Sequence, residues 1–311
     1  METRALIGKF LLRICVFLVF SSTIYSILIC VAGEILPKYL KRNILYTLGS
    51  VGFTHTRLEE AKITENIDIL FLGSSHAYRG FDNRIFQKHG YSSFNLGTSS
   101  QTPLQTHTLL KRYVKKIKPK IIILEVSPMS FEADGVESSI DILSNDLKDL
   151  NSITMVLNQN HIKAYNTLIY SIYRDLIDIN KDFAEPPNKG GDFYISGGFV
   201  ENKCNKVILD TTQSIAKTIN YSKTQLKCFE AIINEVRELN MRLILIQAPI
   251  TSLKYATYLD NTSFDEKMMK YGEYFNFNTL MSLTDSIYFY DSHHLNQLGV
   301  DKFNTEVIIR L

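Results

Sequence analysis

The chain has 311 residues, 45% of them hydrophobic and 21% charged, proportions of a globular protein rather than a disordered one. Lys and Arg number 34 against 32 Asp and Glu, a formal net charge of +2, and without a basic stripe this gives nucleic acid no footing. The densest basic patch, Lys111-Arg112 with Lys115, Lys116, Lys118 and Lys120, falls at the end of an amphipathic segment, where cations complement a helix dipole.

The first predicted element is the most apolar. Ile14 to Ala32, ICVFLVFSSTIYSILICVA, carries no charge. At about 1.5 Å per residue such a helix matches a hydrocarbon core of roughly 30 Å. It is apolar on every face, unlike the stripe of a surface helix. A cleaved signal peptide has a shorter apolar region and a small-x-small site. Here Val31-Ala32-Gly33 runs into further apolar chain, so residues 1–35 are expected to be an uncleaved single-pass anchor. Arg4, Lys9 and Arg13 precede the span and Lys38, Lys41 and Arg42 follow it, so the charge rule does not orient it. Cys15 and Cys30 lie within the span. Cys204 and Cys228 lie outside it, as a disulfide in an oxidising compartment or as two free thiols.

Residues 36–62, with Pro37 and two glycines, read as a juxtamembrane linker, and 63–311 as the folded domain. Ile67 to Leu72 (IDILFL) is a short, almost continuous apolar run, as in a buried parallel strand. It ends in Gly73-Ser74-Ser75-His76. Ser93 to Leu96 is a second strand, ending in Gly97-Thr98-Ser99-Ser100. A helix is expected over Thr102 to Lys116, and a third strand over Ile121 to Val126, stopping at Ser127-Pro128.

From about 129 to 222 the rhythm breaks. A helix is expected around Ile162 to Asp178, followed by a loop, Glu185 to Asn202, whose Gly-Gly pairs at 190-191 and 197-198 suggest tight turns and close backbone approach. The segment is an insertion that either covers part of the site or stands clear of it. Regularity returns at Lys223 to Leu239, with Leu226, Phe229, Ile233 and Val236 on one face. Arg242 to Gln247 and Ser286 to Tyr290 are the fourth and fifth predicted strands, and a last helix presents Val300, Phe303, Val307 and Leu311. Alternating strands and helices argue for an α/β fold with a parallel sheet covered on both faces.

Sites in such sheets collect at the carboxyl ends of the strands. Ser75 stands there after the first strand, where it can project its hydroxyl into a cleft or merely help cap the next helix. Asp291-Ser292-His293-His294 stands after the last. A serine hydroxyl needs a base to take its proton, and that base needs a carboxylate to fix its tautomer. An Asp three residues before a His supplies both from one loop.

On these blocks the sequence resembles the SGNH (GDSL-like) hydrolases, from about Asp68 to Leu311. Gly73-Ser74-Ser75 matches the first block, with Ser75 the matching serine. Gly97 in Asn95-Leu96-Gly97 matches the glycine that donates its N–H to the oxyanion hole. Asp291 and His294 match the last block. The resemblance implies a flavodoxin-like three-layer sandwich and a Ser75-His294-Asp291 triad, with an oxyanion hole from Ser75, Gly97 and Ser127. The third block departs from the family: Glu125-Val126-Ser127-Pro128 replaces G-x-N-D, and one lost donor costs about 10²–10³ in rate.

The Ser-Pro ending and the anchor are similar to the DltD-like branch of membrane proteins, and the alginate acetylation proteins share the arrangement. That resemblance implies an esterase or O-acyltransferase acting on acylated cell-envelope glycan, its domain extracytoplasmic. An integral-membrane O-acyltransferase is then the implied partner. The missing asparagine leaves open a non-catalytic accessory protein that binds acyl carrier or glycan. No nucleotide motif or further ligand cluster accompanies these blocks, so neither cofactor nor metal is expected. His76, His293, Arg79, Asp82 and Glu125 lie close to the blocks in sequence and are expected to be local structural residues.

Overall fold

The computed structural model describes residues 2–49, 52–203 and 215–311. Cys204, and with it any pairing to the buried Cys228, lies outside the described residues.

Helix α1 (Glu2–Ile35) is followed by α2 (Thr54–Ala61), β1 (Ile69–Leu72), α3 (Ser75–Gly80), α4 (Asn83–Lys88), β2 (Ser93–Asn95), α5 (Pro103–Ile117) and β3 (Ile121–Glu125). The insertion holds α6 (Pro128–Glu132), α7 (Val136–Asn145), α8 (Leu150–Gln159), α9 (Ile162–Leu176) and three strands, β4 (Asn188–Lys189), β5 (Asp192–Ile195) and β6 (Phe199–Asn202). The chain returns through α10 (Lys223–Glu238), β7 (Arg242–Gln247), α11 (Ser252–Tyr255), α12 (Asn261–Met269), β8 (Glu273–Asn276), α13 (Phe277–Leu280), α14 (Asp285–Tyr288) and α15 (Gln297–Ile308). Among the described residues, α1 is the one helix long and apolar enough to cross a membrane.

The central sheet is parallel throughout, in the order β2-β1-β3-β7-β8. This is the flavodoxin-like order, in which the strand sequence reverses between β1 and β3 and opens a crevice at their carboxyl ends. Strand alternation divides the core between the two faces. Leu70, Leu72, Ile122, Leu124 and Leu245 pack with α5 and α10. Ile69, Phe71, Ile123, Ile244 and Ile246 pack on the other face with Phe81, Phe277 and Phe303. The result is a three-layer α/β sandwich.

Local chemistry starts the helices that flank the crevice. Thr102 and Gln105 form a reciprocal capping box ahead of Pro103, which suits a first helical position. Asn296 caps α15 by accepting from the Gly299 N–H.

Two expected boundaries differ. The stretch read as linker packs on the domain: Ile44, Phe53, Leu58 and Ala61 are buried, and the N–H groups of Thr47 and Gly49 donate to the side chains of Ser144 and Asn145. Arg57 explains why the sequence hid this, since its side chain is fully buried, donates from Nε to the Gly198 carbonyl, and lies 4.6 Å over the Tyr78 ring. The fifth strand is β8, not Ser286–Tyr290. Asp285–Tyr288 is a short helix, and the chain beyond it folds back on itself through Tyr290 N–H to His294 O and Asn296 N–H to Tyr288 O. That loop uses the backbone groups a sheet edge would have needed.

Candidate active site

The turn after β1 is built by glycine and serine chemistry. Gly73 has φ 142°, and a Cβ there would lie 2.7 Å from the Glu125 Cβ, so only glycine lets β1 leave the sheet beside β3. Ser74 then caps α3, accepting from the His76 N–H. Ser75 is the first residue of α3, where its own N–H has no acceptor within the helix.

The loop after α14 brings a histidine to it. Asp291 Oδ1 accepts from the backbone N–H groups of His293 (2.7 Å) and His294 (2.8 Å), closing the Asp-Ser-His-His turn. The Ser292 carbonyl accepts from the Thr251 N–H and hydroxyl, which ties the turn to the segment after β7. His294 Nδ1 lies 2.9 Å from Asp291 Oδ2, and His294 Nε2 lies 2.8 Å from Ser75 Oγ. The structure thus brings Ser75, His294 and Asp291 into one hydrogen-bonded line across 219 residues of chain. With Nδ1–H donating to the carboxylate, Nε2 is left as the acceptor for the serine hydroxyl.

Burial holds the His294 imidazole below its ordinary value, against the pull of Asp291. Burial alone would raise Asp291, but His294 and the two N–H groups outweigh it and hold the carboxyl at about 2. Tyr290 stacks on His294 with centroids 5.6 Å apart and planes 12° apart. Arg79 sits behind, 5.9 Å from the Tyr290 ring centroid, in a two-bond ion pair with Asp192 of β5 (2.8 and 2.6 Å). The insertion therefore lies over α3 instead of standing clear of it. Its Gly197-Gly198 turn, at φ 94° and 92°, presses on Asn95, where a Cβ on Gly198 would meet the Asn95 carbonyl at 2.4 Å. Asp82, which follows α3, caps α4 and pairs with Arg84.

The residues expected to form an oxyanion hole fare differently from the three in the hydrogen-bonded line. Gly97 does lie against the turn after β1: a Cβ there would be 2.8 Å from the Ser74 carbonyl and 3.1 Å from that of Gly73. Its N–H is not free, however, and donates to Asn95 Oδ1 at 2.9 Å. Asn95 is fully buried and held in turn by Nδ2 donating to the Ala77 carbonyl. The N–H expected to serve as an oxyanion donor is therefore engaged by a carboxamide in this structure. Ser127 is buried at the end of β3, with its carbonyl accepting from the Ser130 N–H and hydroxyl. Among the described residues no hydrogen bond joins Ser127 to the three residues of the line.

Sequence reasoning missed a second cluster beside the first. Glu125, buried at the end of β3, accepts from Ser74 Oγ at 3.1 Å and lies 3.3 Å from His76 Nδ1. His76 and His293 flank His294, with the His76 ring 5.5 Å and the His293 ring 6.2 Å from it. His76 Nε2 and His293 Nδ1 are both buried without a hydrogen-bond partner. The sequence signal was present in Glu125 at a strand end and His76 beside Ser75, but nothing in it linked the two. No group of three or more His, Cys, Asp or Glu among the described residues is arranged to hold a metal ion. A cavity of about 510 Å³ is lined by Leu45, Val136, Ile140 and His161, and also by Ser99, two residues beyond Gly97.

No protein-family model matches the chain, and no curated protein matches it in sequence. Among solved structures it is similar to a protein from Desulfitobacterium hafniense described as lipolytic and of the G-D-S-L family. That match has 12% identity and a TM-score of 0.40, covering 79% of this chain and 100% of that one. It is similar to a protein from Bacteroides fragilis described as an acylhydrolase at 10% identity and TM-score 0.40, over 84% and 98% of the two chains. A gut microbial diltiazem-metabolizing enzyme aligns at 12% identity and TM-score 0.27, over 79% of this chain and 47% of its own.

Proposed function

We propose that the chain is a membrane-anchored serine ester hydrolase or O-acyltransferase of the SGNH type, with Ser75 as nucleophile, His294 as general base and Asp291 as its orienting carboxylate. The observation that carries this reading is the 2.8 Å contact of His294 Nε2 with Ser75 Oγ, made while Nδ1 rests on Asp291. That order of groups is the one needed to deprotonate a serine at neutral pH.

Ser75 Oγ attacks the acyl carbonyl carbon as His294 Nε2 takes its proton. The oxyanion faces the Ser75 N–H, and the Gly97 N–H joins it once substrate displaces the Asn95 carboxamide. Collapse expels the alcohol, which takes the proton back from His294 and leaves the acyl group on Ser75. Water, deprotonated by the same histidine, then releases the acid; alternatively a sugar hydroxyl accepts the acyl group. The apolar α1 supports placement at a membrane, and the sequence resemblance supports an extracytoplasmic domain, an acylated envelope glycan as substrate and an integral-membrane O-acyltransferase as partner.

A second reading, a non-catalytic binding protein, is favoured by one observation: the Gly97 N–H is already engaged by Asn95. Labelling with a fluorophosphonate probe separates the two. Folded wild type is expected to label and Ser75→Ala not to. Folded wild type that fails to label overturns the enzyme reading.

A further inference from the structure

We infer that Glu60 and Arg57 of α2 are positioning residues for the proposed reaction: they clamp the Gly197-Gly198 turn of the insertion onto Asn95, and Asn95 sets the Gly97 N–H. The inference rests on the proposed attack by Ser75 with Gly97 as an oxyanion donor. It adds two residues from a helix that precedes the sheet.

Strand β2 lies at the edge of the parallel sheet, where outward backbone groups have no partner in the ladder. The insertion supplies one, since the Asn95 N–H donates to the Gly197 carbonyl at 2.8 Å. The approach is as close as backbone allows. Gly197 and Gly198 both have positive φ, and a Cβ on Gly198 would strike the Asn95 carbonyl, so the pair has to be glycine.

Asn95 passes this position on. Its Nδ2 donates to the Ala77 carbonyl of α3 at 2.8 Å, and its Oδ1 accepts from the Gly97 N–H at 2.9 Å. Ser75 is the first residue of α3, so one side chain relates Gly97 to the helix that carries the serine. When a substrate oxygen takes the Gly97 N–H, the carboxamide turns aside by side-chain rotation. The main chain, held by Gly197, keeps the donor aimed.

The hairpin does not fix its own turn. Strands β5 and β6 have four residues each, too few to be rigid unaided. The hold comes from α2. Glu60 accepts from Tyr194 OH and Ser196 Oγ at 2.6 Å each, and from the Gly197 N–H at 2.9 Å. Arg57, one turn earlier on the same face, donates from Nε to the Gly198 carbonyl at 3.0 Å. Its guanidinium lies 4.6 Å from the Tyr78 ring of α3 and 6.0 Å from the Tyr194 ring of β5, and both Nη atoms are without a hydrogen-bond partner. The two side chains thus grip the N–H at one end of the glycine pair and the carbonyl at the other. The peptide between them offers its carbonyl to Asn95.

A displacement of about 1 Å at a reacting group can cost about 10²-fold in rate, so a loosened clamp is expected to show in the chemical step. The fluorophosphonate probe reads that step directly: Ser75 Oγ bonds to phosphorus, fluoride leaves, and the phosphoryl oxygen faces the oxyanion donors. On the full-length protein, Glu60→Ala is expected to lower the saturating rate of labelling about tenfold, with the half-saturating probe concentration within about twofold. Glu60→Gln keeps an acceptor for the Gly197 N–H and is expected to recover to within about threefold of wild type. In Gly97→Ala, where the donor is already displaced, adding Glu60→Ala is expected to cost less than about twofold. Tyr194→Phe combined with Ser196→Ala removes two of the three donors to Glu60 and carries the same comparison should Glu60→Ala not fold. An undiminished labelling rate in these variants, or an equal loss with and without Gly97→Ala, overturns the clamp and leaves the Ser75 reaction standing. Folded wild type that does not label overturns that reaction, and the clamp with it.

Discussion

Two serines, two histidines and two carboxylates meet at the carboxyl ends of β1 and β3, joined in two different orders. In the first set the histidine is central: His294 reaches Asp291 through Nδ1 and Ser75 through Nε2. In the second the carboxylate is central: Glu125 takes Ser74 Oγ on one oxygen and faces His76 Nδ1 with the other, leaving His76 Nε2 without a partner. The functional groups are the same, but the order in which they are joined is not. A serine bonded to an imidazole can lose its proton to a base that then returns it to a leaving group. A serine that donates to a carboxyl oxygen, and whose own oxygen also caps a helix, is held in place. Adjacent serines are thus set apart by what their neighbours accept, and in the proposed reading Ser75 attacks while Ser74 is held as scaffold.

The sharpest way to break this comparison is to exchange the two serines for alanine. Ser75→Ala is expected to remove probe labelling and lower ester turnover by at least about 10³-fold. Ser74→Ala is expected to keep turnover within about tenfold while losing a helix cap, about 1 kcal/mol in a denaturant titration. Equal losses in the two variants would show that the two orders are not functionally distinct. The carboxylates offer the next largest contrast. Asp291→Asn should lower kcat by about 10³–10⁴-fold with the fold intact, since the amide no longer selects the required tautomer. Glu125→Gln should act chiefly on stability, by about 1–3 kcal/mol, because it disturbs a buried hydrogen-bonded group. Thermal denaturation and steady-state kinetics on the same preparations decide whether the two effects separate. Gly97→Ala stands between these cases: its Cβ would push the loop away from the Ser74 carbonyl, and a loss of about 10²-fold in kcat is expected from a misplaced oxyanion donor. Unchanged kcat in that variant would remove Gly97 from the reaction.

The sequence made the first set legible and the second illegible for a physical reason. Ser75, Asp291 and His294 each stand after an element of regular structure, at spacings that carry chemical meaning even without a fold. The parallel sheet was legible in the same way, because apolar runs such as Ile121 to Val126 bury both faces of a strand. Glu125 and His76 acquire their meaning only from the register that sets β1 beside β3, which no local pattern states. The same applies to Asn95, whose carboxamide closes on the Gly97 N–H across a two-residue turn, and to Arg57, a charge buried under aromatic rings. Ser286 to Tyr290 misled in the opposite sense. Its β-forming residues are overruled by a chain reversal that the Asp291 turn imposes.

The smallest expected effect tests whether the second set tunes the first. His294 must be neutral to accept the serine proton, so kcat/KM should fall as pH drops through its pKa and level off above it. Burial lowers that pKa, and His76 and Arg79 lower it further, while Asp291 raises it. The acid limb should therefore have its midpoint below 6.5, the ordinary histidine value. Three other groups facing this imidazole lie away from that limb. Asp291 is held at about 2, burial takes His293 down to about 4, and Tyr290 lies above its usual range, burial being the main cause. Replacing His76 with phenylalanine removes one of the lowering influences while keeping a ring of similar size, so the midpoint should move upward, toward 6.5, with the alkaline plateau little changed. A midpoint that stays put would confine His76 to packing, and one that moves down would mean that its ring supports the protonated form of His294.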